Sequence, residues 1–113
     1  MRGFEDAAAS LRRLLDEHSL DAGVRNRVEL VFEEIATNII RHAAPRGEID
    51  ASVRLDDREV VLTFEDDGMP FDPCAGSASA GYGLTLVRKM ASRLEYQRTT
   101  QQRNRLRVAI ARA

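Results

Sequence analysis

Hydrophobic residues recur along the N-terminal part of the chain at a spacing of three to four, which is typical of amphipathic helices. A first stripe of this kind ends near His18, and it is made by Phe4, Ala8, Leu11 and Leu15. A second, stronger stripe follows a short break, and it is made by Val24, Val28, Val31, Ile35 and Ile39. Asp21 lies in the break, where its side chain is suited to cap the second helix. Pro45 and Gly47 follow the second stripe and end it, because proline cannot continue a helix. Two consecutive helices are predicted.

The spacing of apolar residues changes to two after Gly47, which predicts β-strands. Segments 49–55 and 60–64 alternate in this way on either side of the turn Asp56-Asp57-Arg58, so a hairpin is predicted. A third helix is predicted from apolar positions at helical spacing, namely Leu84, Val87, Ala91 and Leu94. Two further strands joined by a polar turn complete the pattern, at 95–100 and 106–110.

The element order α-α-β-β-α-β-β predicts an α+β protein. Adjacent hairpins with helices on one side form a two-layer α/β sandwich, with a mixed, mostly antiparallel sheet covered on one face by three helices. The chain has 113 residues and no linker that would separate domains, so a single domain over 1–113 is expected.

The charge balance excludes some classes of function. Lysine and arginine number 17 and aspartate and glutamate 18, a formal charge of −1, which disfavours direct nucleic-acid binding and a polybasic membrane surface. Cys74 is the only cysteine, so an internal disulfide is excluded and a reducing compartment is suitable. No apolar run approaches the roughly 20 residues that span a bilayer, and no signal peptide is visible. A cytoplasmic protein is expected.

Three polar residues lie four positions apart in the second helix, Glu34, Asn38 and His42. At about 100° per residue they fall on one line that borders the apolar stripe, at the edge of the core. Taken alone, they are interpreted as a solvated flank, a local backbone hydrogen bond and a cation at the helix C-terminus.

Two glycine-containing segments follow. In FEDDGMPFD a predicted strand ends in Asp66 and Asp67 and is followed by Gly68, a combination that is also common in turns. In GYGL, Gly81 and Gly83 precede a predicted helix, whose N-terminal N–H groups suit phosphate. Neither a Walker lysine nor the element order of a Rossmann unit accompanies them, so each segment alone is a weak signal.

The order of the three motifs resembles the GHKL ATPase/kinase superfamily with its Bergerat ATP-binding fold. Within it, the chain is most similar to the bacterial anti-sigma factor serine/threonine kinases. The segment from Glu34 to His42 resembles the family's N box, Asp66 to Asp72 its first glycine box, and Gly81 to Leu84 its second. The ending from Glu95 to Ile110 resembles the family's last hairpin, so the resemblance extends from about Arg25 to the C-terminus.

The resemblance implies roles for the polar residues of the second helix. Asn38 would bind Mg²⁺ through its amide oxygen, and Glu34 would be the general base that takes a proton from the attacking hydroxyl. His42 receives no chemical role.

The resemblance also implies an ATP cleft lined by the glycine boxes. Asp66 would accept a hydrogen bond from the adenine amine, and Gly68 would let the backbone pass the base. Gly81, Gly83 and the Leu84 N–H would hold the phosphates.

Four departures from the family pattern accompany the resemblance. Asn104 occupies the place where many relatives have a threonine near adenine, and its amide is expected to support Asp66. Pro70 replaces the usual second glycine, and the lid over 73–80 is short. The strand that usually precedes the first helix is not visible.

The expected function is that of an anti-sigma-type protein kinase that uses ATP and Mg²⁺. It would phosphorylate a serine or threonine of an antagonist protein, of the anti-anti-sigma kind, and exchange that protein for a sigma factor or a similar regulator. A homodimer is possible. Two alternatives stay open, a non-catalytic module that binds ATP and sequesters a partner, and the ATP-binding domain of a larger signalling protein. The short lid favours the first alternative and the intact Glu34 argues against it.

Overall fold

The computed structural model describes residues 2–43, 47, 49–70 and 82–112, and of residues 2–5, 42, 43 and 82–84 it describes only the backbone. Within these residues, three α-helices and four strands occur in the predicted order, with a π-helical turn after the second helix. Their bounds are α1 Arg2–Glu17, α2 Ala22–Asn38, the π-helical turn Ile39–Ala43, β1 Asp50–Leu55, β2 Glu59–Asp66, α3 Tyr82–Met90, β3 Arg93–Arg98 and β4 Asn104–Ala111.

The start of α2 agrees with the predicted cap. The Oδ2 atom of Asp21 accepts a hydrogen bond of 3.0 Å from the backbone N–H of Gly23. This bond satisfies one of the N–H groups that have no partner inside the first turn of a helix. The helix then buries its apolar stripe, including Val28, Val31 and Ile35.

The four strands form one antiparallel sheet in the order β1-β2-β4-β3, so the parallel pairing that a mixed sheet would contain does not occur among the described strands. The β1–β2 hairpin turns at Asp56, whose Oδ1 accepts hydrogen bonds from the N–H groups of Arg58, at 2.7 Å, and Glu59, at 2.9 Å. These two bonds favour the carboxylate and lower the pKa of Asp56 below its ordinary value. Gln102, with a φ of 59°, makes the β3–β4 turn.

The core lies between the sheet and the helices. Each strand alternates, and the side chains of one sheet face pack against α1, α2 and α3, with Val60, Leu62 and Phe64 of β2 among them. The rings of Phe32 in α2 and Phe64 in β2 lie with centroids 5.5 Å apart. The described part of the chain is therefore the predicted two-layer α+β sandwich. None of its helices is both long and apolar enough to cross a bilayer.

The boundary between the third helix and the following strand differs from the prediction. The helix ends at Met90, and Leu94 belongs to β3, which covers Arg93–Arg98 rather than 95–100. The apolar spacing continues across this boundary, but the backbone N–H of Ser92 already donates to the carbonyl oxygen of Ala109 in β4, at 2.8 Å. Pairing with β4 outweighs the helical periodicity at this point.

Candidate functional site

The C-terminal end of α2 holds Asn38 in a defined orientation. Its side chain is 7% exposed, and its Nδ2 donates a hydrogen bond of 2.7 Å to the carbonyl oxygen of Glu34, one turn earlier. Because the amide nitrogen is used within the helix, the amide oxygen Oδ1 is turned away from that bond, and no donor to it is found among the described residues. An amide oxygen is a ligand type that Mg²⁺ accepts, so Asn38 fits the predicted metal-binding role.

The chain continues from Asn38 into the π-helical turn Ile39–Ala43. Such turns are rare, and they occur frequently at functional sites. Hydrophobic spacing carries no signal for this turn, and the sequence did not predict it. His42 lies in the turn, but its side chain is outside the described part of the structure.

Glu34 lies one helical turn before Asn38 at the edge of the core, as predicted, and its side chain is half-buried. Within the described residues its carboxylate makes no hydrogen bond and no ion pair. Its neighbour Glu33 is exposed on the helix surface. The Glu34 carboxylate is therefore available to accept a proton from a bound group.

A polar row crosses the sheet at one end of the face that carries the core. It consists of Asp66 on β2, Asn104 on β4 and Arg98 on β3, which are direct cross-strand partners. The neighbouring row on the same face is apolar or aromatic and consists of Phe64, Leu106 and Tyr96. Along each strand, the next residue on this face after the apolar row is thus polar. Asp66 lies at the predicted position, at the end of β2.

Asp66 is 1% exposed and accepts two hydrogen bonds through the same oxygen. Its Oδ1 accepts from the backbone N–H of Gly68, at 2.8 Å, and from Nδ2 of Asn104, at 3.0 Å. The first of these bonds closes a turn of the Asx type, so the turn interpretation of Asp-Gly is correct as well. Neither bond uses Oδ2, for which no donor is found among the described residues, so this second oxygen is available to accept a hydrogen bond from a ligand.

Asn104 is 4% exposed, and its side-chain amide forms hydrogen bonds with four described residues. Its Nδ2 donates to Oδ1 of Asp66, at 3.0 Å, and to the carbonyl oxygen of Met69, at 2.8 Å. Its Oδ1 accepts from the Tyr96 hydroxyl, at 2.5 Å, and from Nη1 of Arg98, at 3.0 Å. Both amide hydrogens and both oxygen lone pairs are thereby used. The bond to Asp66 that the sequence predicted is present, while a direct bond from Asn104 to nucleotide would require one of these four to break.

The two parts of the candidate site lie at the same end of the molecule. The backbone N–H of Gly47, in the connection that follows the π-helical turn, donates to Oδ1 of Asp67 at 3.2 Å. Since Asp67 follows Asp66 directly, this bond ties the segment after α2 to the segment after β2. The structure thus brings together the ends of the two elements that carry Asn38 and Asp66.

The second glycine box is described only in part. Gly83 and Leu84 lie in the first turn of α3, where backbone N–H groups have no partner inside the helix. Gly81 lies outside the described residues, as do the predicted lid at 73–80 and Cys74. Pro70 is described and exposed. The phosphate-binding roles of these glycines stay predictions.

A polar cavity of about 460 Å³ lies elsewhere, on the sheet face opposite to the described helices. Its lining includes Arg54, Val61 and Arg107. The strand alternation puts these residues on the face opposite to that of Asp66 and Asn104, so the cavity is separate from the candidate site.

A family model described as a histidine kinase-like ATPase domain matches residues 4–110. The chain belongs to this family. Membership confirms the GHKL superfamily that the motifs indicated, and it supports ATP binding as the function of the domain. No curated protein is similar enough to the chain to count as a match.

Two solved structures are similar to this histidine kinase-like domain in fold. The Acinetobacter baumannii histidine kinase AdeS has 19% sequence identity and a TM-score of 0.59, covering 78% of this chain and 47% of that one. The histidine kinase domain of a blue-light activated histidine kinase from Erythrobacter litoralis has 19% identity and a TM-score of 0.60, covering 96% of this chain and 59% of that one. The chain spans less than two thirds of either structure, and at this identity the similarity shows a shared fold.

Tyr96 and Arg98 were missed as site residues by the sequence analysis. The signal that could have found them is the alternation of Leu94, Tyr96 and Arg98, which places all three on one face of a strand. The prediction assigned Leu94 to the third helix and began the strand at Glu95. The alternation that starts at Leu94 in β3 was therefore not recognised.

Proposed function

We propose that the chain is an ATP- and Mg²⁺-dependent protein kinase of the anti-sigma type, which phosphorylates a serine or threonine of an antagonist protein. The observation that carries this proposal is the Glu34 carboxylate, half-buried and without a partner among the described residues, one helical turn before the Asn38 amide. This is the arrangement that a general base beside a metal-bound phosphate requires.

ATP recognition is assigned to three residues at the end of β2 and on β4. Oδ2 of Asp66 accepts a hydrogen bond from the adenine amine, because Oδ1 is already occupied by Gly68 and Asn104. The peptide units around Gly68 pass close to the base, and Asn104 supports Asp66. Gly81, Gly83 and the Leu84 N–H contact the phosphates.

Glu34 acts on the nucleophile. The hydroxyl oxygen of the partner's serine or threonine forms a bond to the γ-phosphorus, and its proton passes to the Glu34 carboxylate. The bond between the γ-phosphorus and the bridging oxygen breaks, and ADP leaves with that electron pair. A Mg²⁺ ion bound by Asn38 would neutralise part of the negative charge of the phosphates.

Phosphorylation would switch partners by electrostatics. A phosphate adds about 1.5 to 2 negative charges at neutral pH, enough to weaken an interface of the antagonist protein. The kinase would then be released to bind a sigma factor or a similar regulator. This role rests on the resemblance of the motifs to the anti-sigma kinases.

The first test separates binding from transfer. The charge-neutral variant Glu34→Gln is expected to bind ATP·Mg²⁺ within about twofold of the wild-type affinity and to lose transfer to a candidate antagonist by about 10²- to 10⁴-fold. Calorimetric titration and radiolabelled transfer from ATP measure the two quantities. Glu33→Gln is the matched control, since Glu33 is the exposed neighbour on the same helix. Wild-type transfer by Glu34→Gln would rule out the general-base assignment.

The same assays distinguish the two alternatives. Binding of ATP without turnover by the wild type, with or without partner, supports a module that only sequesters its partner. Phosphorylation of a histidine in an attached or separate domain supports the ATP-binding domain of a larger signalling protein, and the two longer histidine kinases of similar fold are the observation that favours this possibility.

A further inference from the structure

Arg98 joins the edge strand β3 to the candidate nucleotide site. Its Nη1 donates two hydrogen bonds, to Oδ1 of Asn104 at 3.0 Å and to the carbonyl oxygen of Gly68 at 2.9 Å. The Arg98 side chain is half-buried at the end of the polar row. Gly68 is thereby held from both sides, since its own N–H donates to Asp66.

The side-chain amide of Asn104 has two orientations of nearly identical shape, and its neighbours select one. The Asp66 carboxylate and the Met69 carbonyl can only accept hydrogen bonds, so both require the Nδ2 end. The Arg98 guanidinium can only donate, so it requires the Oδ1 end. A reversed amide would bring oxygen against two oxygens and nitrogen against the Arg98 nitrogen.

Tyr96 contributes less to this selection. Its hydroxyl donates to Oδ1 of Asn104 at 2.5 Å, but a hydroxyl can rotate and accept a hydrogen bond from an NH₂ group instead. Of the two β3 residues that contact the amide, Arg98 is thus the one that can only donate a hydrogen bond and so selects the orientation.

We propose that Arg98 is a positioning residue that fixes the amide of Asn104 and, through it, the Asp66 carboxylate that reads the base. Arg98 itself touches no nucleotide in this scheme. By setting Asn104, it keeps Oδ1 of Asp66 bound within the protein and leaves Oδ2 directed to the exocyclic amine of adenine. This role rests on the proposed ATP-binding function, whereas the orientation of Asn104 is a property of the free protein.

The orientation is tested without nucleotide by NMR on the ¹⁵N-labelled chain. The chain has three asparagines and three glutamines, Asn26, Asn38, Asn104, Gln97, Gln101 and Gln102, so the side-chain amide signals are few, and Asn104→Asp identifies the signal of interest. In Arg98→Met, which keeps an apolar stem and removes every donor, solvent exchange of the Asn104 side-chain hydrogens is expected to rise by about threefold to tenfold.

The consequence for base recognition is tested with two nucleotides. ATP is compared with purine riboside triphosphate, which lacks the exocyclic amine, and the ratio of the two affinities reports the bond to Asp66. Arg98→Met is expected to reduce this ratio by about threefold to tenfold, while Arg98→Lys, which keeps a donor on a flexible stem, is expected to restore most of it.

Arg93→Gln is the matched control. Arg93 lies on the same strand but on the other face of the sheet, where it pairs with Glu59 at the surface. It is expected to leave both the Asn104 signal and the affinity ratio at their wild-type values, because exposed ion pairs contribute little. Circular dichroism checks that each variant is folded, and if Arg98→Met is not, Tyr96→Phe combined with Arg98→Lys weakens the same contacts more gently.

The outcomes separate the two proposals. An unchanged Asn104 signal together with an unchanged affinity ratio in folded Arg98→Met would overturn the positioning role. Failure of the wild type to bind ATP would overturn the proposed function, and the NMR measurement would then still decide whether Arg98 orients Asn104.

Discussion

At the scale of single residues, the candidate site is built from side chains whose polar atoms are divided between the protein and the cleft. Oδ1 of Asp66 accepts hydrogen bonds from Gly68 and Asn104, while no described residue donates to Oδ2. Nδ2 of Asn38 donates a hydrogen bond to the Glu34 carbonyl oxygen, while no described residue donates to its Oδ1. In both cases the internal bond selects the side-chain rotamer before a ligand binds. Binding therefore costs little side-chain conformational entropy.

This division makes Asp66→Asn an informative substitution. An asparagine with its oxygen at the Oδ1 position retains both internal hydrogen bonds and presents an NH₂ group in place of Oδ2. Since a donor would then face the adenine amine, ATP affinity is expected to fall by about 10- to 100-fold while the melting temperature changes little. Titration calorimetry and thermal unfolding measure these two effects.

The neighbouring carboxylate supplies the control for this prediction. Asp67 is exposed, and its Oδ1 accepts from the Gly47 N–H, so Asp67→Asn makes the same chemical change one residue away. It is expected to bind ATP with nearly wild-type affinity. Equal losses in the two variants would show that the region loses affinity for a general reason, and the specific role of Asp66 in reading the base would be refuted.

The sequence predicted residues of this site unequally well. Glu34, Asn38 and Asp66 could be selected because the order of their motifs along the chain resembles a known family, and the same resemblance placed the Asn104 amide beside Asp66. Tyr96 and Arg98 could not be selected, since their role depends on which residues face each other across three strands. That information is in the pairing of the sheet, which a single sequence does not state.

At the scale of elements, α2 has the central position, because it packs on the sheet through Phe32 and carries Glu34 and Asn38 at its C-terminal end. Its bounds were predicted well because the cap at Asp21 and the apolar stripe are local signals. The end of α3 was predicted poorly because Val87, Ala91 and Leu94 fit a helix, while the decisive contact at Ser92 is made with the distant strand β4. Local patterns define helix starts better than they define a change from helix to strand.

The cap of α2 gives a prediction at this scale. Asp21→Ala removes the acceptor for the Gly23 N–H, and the free energy of unfolding is expected to fall by about 1 kcal/mol. Denaturant unfolding at neutral pH measures the change. Asp57→Ala is the comparison, because Asp57 is an exposed residue in the β1–β2 turn whose side chain forms no hydrogen bond or ion pair with a described residue. Indistinguishable losses in the two variants would contradict the capping role.

At the scale of the whole molecule, the two faces of the sheet differ in burial and in the kind of side chain that they carry. One face packs against the described helices, whose buried side chains include Leu15, Ile35 and Val87. The other face carries cross-strand ion pairs, such as that of Arg105 with Glu65 at 3.3 Å. The core face ends in the polar row, so the same layer that stabilises the fold also sets the position of Asp66.

A pair of adjacent substitutions on the central strand β2 measures this asymmetry. Leu62, 1% exposed, faces the helices, and Thr63 faces the uncovered side. Leu62→Ala leaves a cavity and is expected to lower the free energy of unfolding by about 2–5 kcal/mol, a large part of the roughly 5–15 kcal/mol typical of a domain. Thr63→Ala removes no buried apolar volume, so its cost is expected to stay below about 1 kcal/mol, the span of strand propensities. Denaturant unfolding of both variants compares the two costs, and similar values would mean that the second face is also buried in solution.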